Sequence, residues 1–155
     1  MNGKIIFTTI PIKSYIKGKR PTKDEYYLKI AEAVSRRSTC LIRKYGAVVV
    51  ENDEIISTGY NGAPRGQVNC IDDGVCQRRL FSGSDAHGVG YDNCKSVHAE
   101  MNAIISAKRR DMIGSTLYLT CYDVGNEELI YAEPCSICKR LIINSGILRV
   151  VTWQV

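Results

Sequence analysis

The sequence predicts an α/β fold, with helices laid on a mixed β-sheet. Three observations predict it. Segments of helical period alternate with short β-branched runs, in the order α-β-β-α-β-α-β. Turn signals separate them, with Asn52-Asp53 between two strand-like runs and Asn144-Ser145-Gly146 after a helical one. Two motifs rich in metal-ligating residues each open a predicted helix.

Taken in order, residues 1 to 21 read as an irregular leader with one short strand at 4 to 10, and residues 22 to 155 as the domain. Pro21-Thr22 opens a helix from about Lys23 to Ser38, with Tyr26, Tyr27, Ile30, Ala31 and Val34 at helical spacing. Gly46 to Val50 is a β-branched run that predicts a buried strand, and Glu54 to Thr58 pairs back on it as a hairpin. Residues 59 to 97 form a long loop-like region rich in Gly, Asp, Asn and Cys, which needs something to tie it down. His98 to Arg109 reads as a helix, Thr116 to Thr120 as a strand, Pro134 to Asn144 as a helix and Ile147 to Trp153 as a last strand.

Bulk properties narrow the function classes. The chain has 155 residues, 45% of them hydrophobic and 24% charged, which fits one ordinary globular domain rather than a disordered or fibrous chain. No run of eighteen apolar residues exists, so no membrane span is expected, and the N-terminus is too short and polar for a signal peptide. A cytoplasmic protein is expected. The net charge of +5 is mild. It suits a phosphorylated small molecule or a weak nucleic-acid contact without requiring either. The basic runs Lys17 to Arg20 and Lys108 to Arg110 read as solvated surface. With no aromatic-basic stripe, a nucleic-acid partner is not expected. Seven cysteines are an odd count, which argues against a closed disulfide framework and towards metal binding.

The chemistry is concentrated in two places. His98-Ala99-Glu100 begins one predicted helix and Pro134-Cys135-Ser136-Ile137-Cys138 begins another. Cys135 and Cys138 are three apart and share a helix face. Two thiolates and an imidazole form a three-ligand zinc set that leaves a fourth position for water, the catalytic arrangement. In mid-helix His98 and Glu100 would point roughly 200° apart, so they converge on one site only at a first turn. Glu100 is expected to move protons rather than ligate, because two thiolates already balance the metal's charge and acidify its water little. A lone His-x-Glu means little, and a lone Cys-x-x-Cys also fits a redox pair or a structural zinc knot. Together, and in this order, they match the H-x-E with P-C-x-x-C signature of zinc deaminases.

With these motifs the chain resembles the cytidine and deoxycytidylate deaminase superfamily, and within it the zinc-dependent dCMP deaminases. Val97 to Ile104 and Pro134 to Cys138 carry the general resemblance. Gly59-Tyr60-Asn61-Gly62-Ala63-Pro64-Arg65-Gly66, after Gly46 to Val50, carries the narrower one. The resemblance spans about residues 22 to 153. It implies a three-layer α/β/α sandwich and the hydrolytic deamination of dCMP to dUMP and ammonia, in which water attacks carbon 4 of the ring and Glu100 shuttles the protons. Deamination of another nucleoside or a tRNA base, and a silent zinc or nucleotide-binding protein, stand as alternatives. The resemblance also implies that Asn61 holds the sugar, that the Ala99 backbone meets the pyrimidine carbonyl, and that Gly59, Tyr60, Asn61 and Gly62 belong to a segment regulated by dCTP and dTTP, with Mg²⁺ accompanying the nucleotide. It implies a second, structural zinc on Cys40 and Cys70, with His87 and Cys94 as further ligands and Cys76 as an alternative. A homo-oligomer, a hexamer, is expected. Arg65 and Lys95 flank the site in sequence and are the candidate phosphate cations, while Cys121 reads as core. Two departures stand out: the acidic stretch Asp123 to Glu133, and an end at Val155 where the family usually continues with a helix, a fifth strand and an aromatic that caps the base. The leader strand is expected to cover the open sheet edge, and Trp153 to stand in for the cap or to be core.

Overall fold

A computed structural model describes residues 4–12, 18–84 and 86–155. The rest of the leader, Lys17 of the first basic run included, and Asp85 lie outside the described residues. The centre of the sheet is β2 (Arg43–Glu51), whose residues from Gly46 to Val50 are all buried. Side chains alternate across a strand, so Ala47 and Val49 enter one core and Val48 and Val50 the other. A run buried on both faces therefore implies a layer on each side of the sheet.

β2 pairs antiparallel with β3 (Glu54–Tyr60) through the expected hairpin, in which Asn52 and Asp53 both adopt positive φ. On its other side β2 pairs antiparallel with β4 (Thr116–Asp123). β6 (Arg149–Gln154) runs parallel to β4, and β1 (Ile6–Pro11) runs parallel to β6. The strand order is thus β1-β6-β4-β2-β3, with β5 (Glu128–Ile130) folded back on β4 as the sixth strand. The leader is accordingly not external to the domain, because β1 is the strand that closes the edge of β6. The acidic stretch after β4 is a hairpin arm rather than an open loop.

One face of the sheet carries α1 (Lys23–Ser35), which buries Tyr27, Leu28 and Ala31 against Val48, Tyr118, Val151 and Trp153. Thr22 caps it with a reciprocal Thr22–Glu25 box. The helix ends three residues earlier than its periodicity predicts. Successive i→i−3 bonds at Arg36, Arg37 and Ser38 tighten the chain out of the helix. Trp153 is core on this face and caps nothing on the other.

The opposite face carries α4 (Ala99–Ile105) and α6 (Ser136–Ser145) over Ala47, Val49, Leu117, Leu119, Cys121 and Val150. The expected helix to Arg109 breaks after Ile105 and resumes as the short α5 (Arg109–Met112). α6 stops at Gly146, which takes the left-handed conformation with φ of 91°. Gly59 matters for a different reason. A Cβ there would overlap the backbone of Ala99 and Ala103, so its hydrogen lets β3 lie directly on α4. The region from 61 to 97 is not plain loop, since it holds α2 (Cys70–Asp73), α3 (Gln77–Ser82) and a 3₁₀ turn at Tyr91–Asn93.

Candidate active site

The first turns of α4 and α6 meet on the same side of the sheet. His98 is the N-cap of α4 and Cys135 the N-cap of α6, both with extended backbone, so each side chain turns in at a helix start. His98 Nδ1 lies 3.6 Å from Cys135 Sγ and 3.4 Å from Cys138 Sγ. A tetrahedral zinc with its usual Zn–S and Zn–N lengths places such atoms about 3.6 Å apart. Among the described residues this is the group of three whose ligand atoms all lie within 4.8 Å of one another. The residues fit the metal, and His98, Cys135 and Cys138 would hold it.

The electrostatics agree. The Cys138 thiol and backbone N–H and the His98 ring hold the Cys135 sulfur down at a pKa of about 3, against burial. Its partner Cys138 is pushed up, because two adjacent sulfurs resist sharing two charges. A divalent cation is what lets both be anionic together. Glu100 is one residue into α4, only 3% exposed, and its carboxyl is pushed up from the ordinary range, chiefly by burial. It faces the Cys138 sulfur, within reach of a group bound at the open metal position and shielded from bulk water.

His98, Glu100 and Cys135 line one cavity with Asn61, Ala99, Tyr45, Tyr91 and Glu133. Asn61 is largely committed to structure. Its Oδ1 accepts from Ser38 Oγ at 2.6 Å and from Tyr45 N at 2.7 Å, and Nδ2 donates to Arg43 O at 2.9 Å. One amide N–H remains to face the cavity. Arg65 is placed differently from its expectation, lining a separate cavity with Gly59, Tyr60, Gly62 and Asn102. Lys95 is also elsewhere, paired with Asp73. The cations that do line the catalytic cavity are Arg43 and Arg78. Tyr91 stands edge-on to the His98 ring at 5.1 Å. Nothing in the sequence pattern marked Arg78 or Tyr91, because a helix of six residues and a 3₁₀ turn leave no periodic trace.

The outer cysteines also converge. Burial raises the Cys70 thiol, and its neighbours Cys40, Cys94 and Cys76 raise it further. Burial likewise raises Cys94, with Cys40 and Cys76 adding to the effect. Cys76 is thus a neighbour of Cys40, Cys70 and Cys94, although among the described residues no three of these sulfurs lie within 4.8 Å of one another. His87 lines the same cavity as Cys40, Cys76 and Cys94, and its Nε2 lies 3.2 Å from Glu133 O. Cys121 is fully buried core beside Tyr45.

Comparison with known proteins agrees with this geometry. The family model for the cytidine and deoxycytidylate deaminase zinc-binding region matches residues 21–154. The deoxycytidylate deaminase of Mycobacterium phage D29 is 44% identical over 135 residues, spanning 85% of this chain and 94% of that protein. The deoxycytidylate deaminase of Schizosaccharomyces pombe is 36% identical over 134 residues, 85% of this chain but 37% of that protein. Among solved structures, the dCMP deaminase of cyanophage S-TIM5 in apo form superposes with a TM-score of 0.59 at 27% identity, covering 88% of this chain and 87% of that one. The same enzyme in complex with dCMP and dUMP superposes with a TM-score of 0.55 at 25% identity, covering 88% of this chain and 85% of that one. The chain belongs to the cytidine and deoxycytidylate deaminase family, and the matched zinc-binding region contains His98, Cys135 and Cys138, the group that could hold the metal.

Proposed function

We propose that the protein hydrolyses dCMP to dUMP and ammonia. The observation that carries this reading is one buried carboxylate, Glu100, beside a three-ligand zinc geometry in a cavity wide enough to be lined by two aromatic rings. The relatives named above support the choice of dCMP. Zinc, when bound, supplies a Lewis acid that acidifies a water molecule. Glu100 takes a proton from that water as its oxygen bonds to carbon 4, and delivers it to ring nitrogen 3. It then carries the second proton to the exocyclic amine, which leaves as ammonia while the carbonyl forms. Burial keeps the Glu100 carboxyl easy to protonate between these steps. The N–H groups at the first turn of α4, that of Ala99 among them, have no acceptor within the helix and are placed to meet the pyrimidine carbonyl. The spare Asn61 N–H meets the sugar. Ammonia release from dCMP, dCTP, deoxycytidine, cytosine and tRNA tests the reading, and activity on dCMP no higher than on the other four would refute it.

Further parts of the same reading follow. Cys40, Cys70, Cys76 and Cys94 hold a second zinc that pins the 61–97 region to the end of α1. Gly59, Tyr60, Gly62 and Arg65 line a cavity behind α4, which supports a regulatory triphosphate, with Mg²⁺, acting there. The enzyme is a homo-oligomer, a hexamer, of the cytoplasm; no helix among the described residues is long and apolar enough to cross a membrane. A dCMP saturation curve with and without dCTP and dTTP, run beside light scattering, tests the last two points. A monomer indifferent to both nucleotides would refute them.

A further inference from the structure

Arg78 carries a charge that the zinc chemistry does not use. It projects from α3 into the same cavity as His98, Glu100 and Cys135. Its guanidinium is fixed on two sides: Nε donates to Val89 O at 2.7 Å and Nη2 donates to Ala86 O. Its flat face lies over the Tyr91 ring at 4.5 Å. Both hydrogen-bond partners are neutral carbonyls, so they orient the group without cancelling its charge. No carboxylate among the described residues forms an ion pair with it. The other cations near the cavity do have carboxylates, Arg43 with Asp123 and Lys139 with Glu133. A guanidinium has five N–H donors. With two spent on Val89 and Ala86, both N–H groups of Nη1 and one of Nη2 remain.

Arg78 is thus an oriented cation on the wall of the catalytic cavity. Arg78 stands one aromatic ring away from the metal ligands, because the Tyr91 ring that it covers touches His98 with its edge at 5.1 Å. A ligand whose reacting carbon sits at Glu100 shares its cavity with Arg78. In a nucleotide the end away from the base is a phosphate monoester, which carries between one and two negative charges at neutral pH and accepts paired N–H donors.

We propose that Arg78 is the residue that binds the 5′-phosphate and so sets the preference for the nucleotide over the nucleoside. The proposal rests on the reading of the site as a dCMP deaminase site and adds a specificity residue to it. Tyr91 acts as a positioning residue, holding the guanidinium plane toward the cavity.

The test compares kcat/KM for dCMP and for deoxycytidine in the zinc-loaded wild type, Arg78→Gln and Arg78→Lys. The loss of one or two charged hydrogen bonds should lower the dCMP-to-deoxycytidine ratio by about 10- to 100-fold in Arg78→Gln, mostly through KM for dCMP. Arg78→Lys should recover part of it, as a point charge without the paired fork. Inhibition by inorganic phosphate should weaken in parallel. If Arg78 serves only to hold residues 86 to 89, both substrates will suffer equally and the ratio will not move, which overturns the proposal. Calorimetric binding of dUMP to wild type and Arg78→Gln separates the two readings. If the wild type turns over no cytosine compound while the substitution still abolishes dUMP binding, the deaminase reading fails and the phosphate site stands. If dUMP binds both equally, the phosphate site fails.

Discussion

Replacing Glu100 by Gln tests the division of labour between metal ligand and proton carrier. The substitution keeps the side chain's length and volume, so the 3% exposed pocket beside Cys138 stays filled. A neutral amide also removes a carboxyl that burial already disfavours in its charged form. The fold and the His98, Cys135 and Cys138 geometry should survive. Turnover should not, since Gln can neither accept the water proton nor return it. A single general acid–base contribution is about 10²- to 10⁴-fold. The upper end applies here for two structural reasons. The same group serves several proton transfers in sequence. Among the described residues the other carboxylate lining the cavity is Glu133, which is held by Lys139 at 2.6 Å and is half-exposed. The expected result is a kcat lower by about 10⁴-fold, about 5.4 kcal/mol in barrier, with bound zinc unchanged by elemental analysis. A Gln variant within tenfold of wild type would refute the proton-carrier role. One that had lost its zinc would make Glu100 a ligand and refute the assignment differently.

Two further outcomes test other parts of the molecule. The purified protein should hold two zinc ions per chain, falling to one in Cys76→Ser with a lower melting temperature, while His87→Ala keeps both; equal zinc content in all three would remove the second site. Asp24→Asn should cost about 1–2 kcal/mol at pH 7 by breaking the paired bonds from Arg149 at 2.7 and 3.0 Å and the bond from Tyr118. Burial raises the Asp24 carboxyl, but those bonds outweigh it and leave it below its ordinary value. A carboxyl lowered in the folded state stabilises fully above its unfolded pKa of about 3.9, and the gain is lost as pH falls through the lower folded value. Denaturant titrations should therefore show wild type and variant converging below about pH 3.9, and an unchanged gap there would refute the linkage.

The parts of this protein that were legible in its sequence are those with a period or a fixed spacing. β2 announces itself because five consecutive buried residues leave no polar alternation. The zinc ligands do so because helix N-termini impose His-x-Glu and Cys-x-x-Cys spacings. The segment from 61 to 97 was illegible for the opposite reason. Its short helices bury little, Cys70 being the one buried residue in α2 and none in α3, so no apolar pattern betrays them. Arg78 ties α3 to the backbone carbonyls of Ala86 and Val89, contacts that leave no periodic trace in the sequence. Arg65 and Lys95 flank the site in sequence, but Arg65 lines a separate cavity and Lys95 pairs with Asp73. After Gly62 bridges Val97, Arg65 heads behind α4 rather than in front of it.

The stretch from Gly59 to Gly62 then has a meaning that neither a turn nor a regulatory motif alone conveys. Its residues are divided between two cavities on either side of the first turns of α4. Asn61 lines the catalytic one, while Gly59, Tyr60 and Gly62 line the other. Asn102 Nδ2 donates to Tyr60 O at 2.8 Å, and Gly59 lies against the Ala99 and Ala103 backbone, so strand and helix are locked face to face. A close-packed contact of this kind transmits displacement rather than absorbing it. If the proposed regulatory ligand binds behind α4 and prefers one placement of Tyr60, this contact is the route by which it would shift Asn61 and the Ala99 N–H. The size of that shift is limited by the ligand's differential affinity for the two placements. The glycines matter because any side chain at 59 would hold β3 away from α4 and separate the two cavities mechanically.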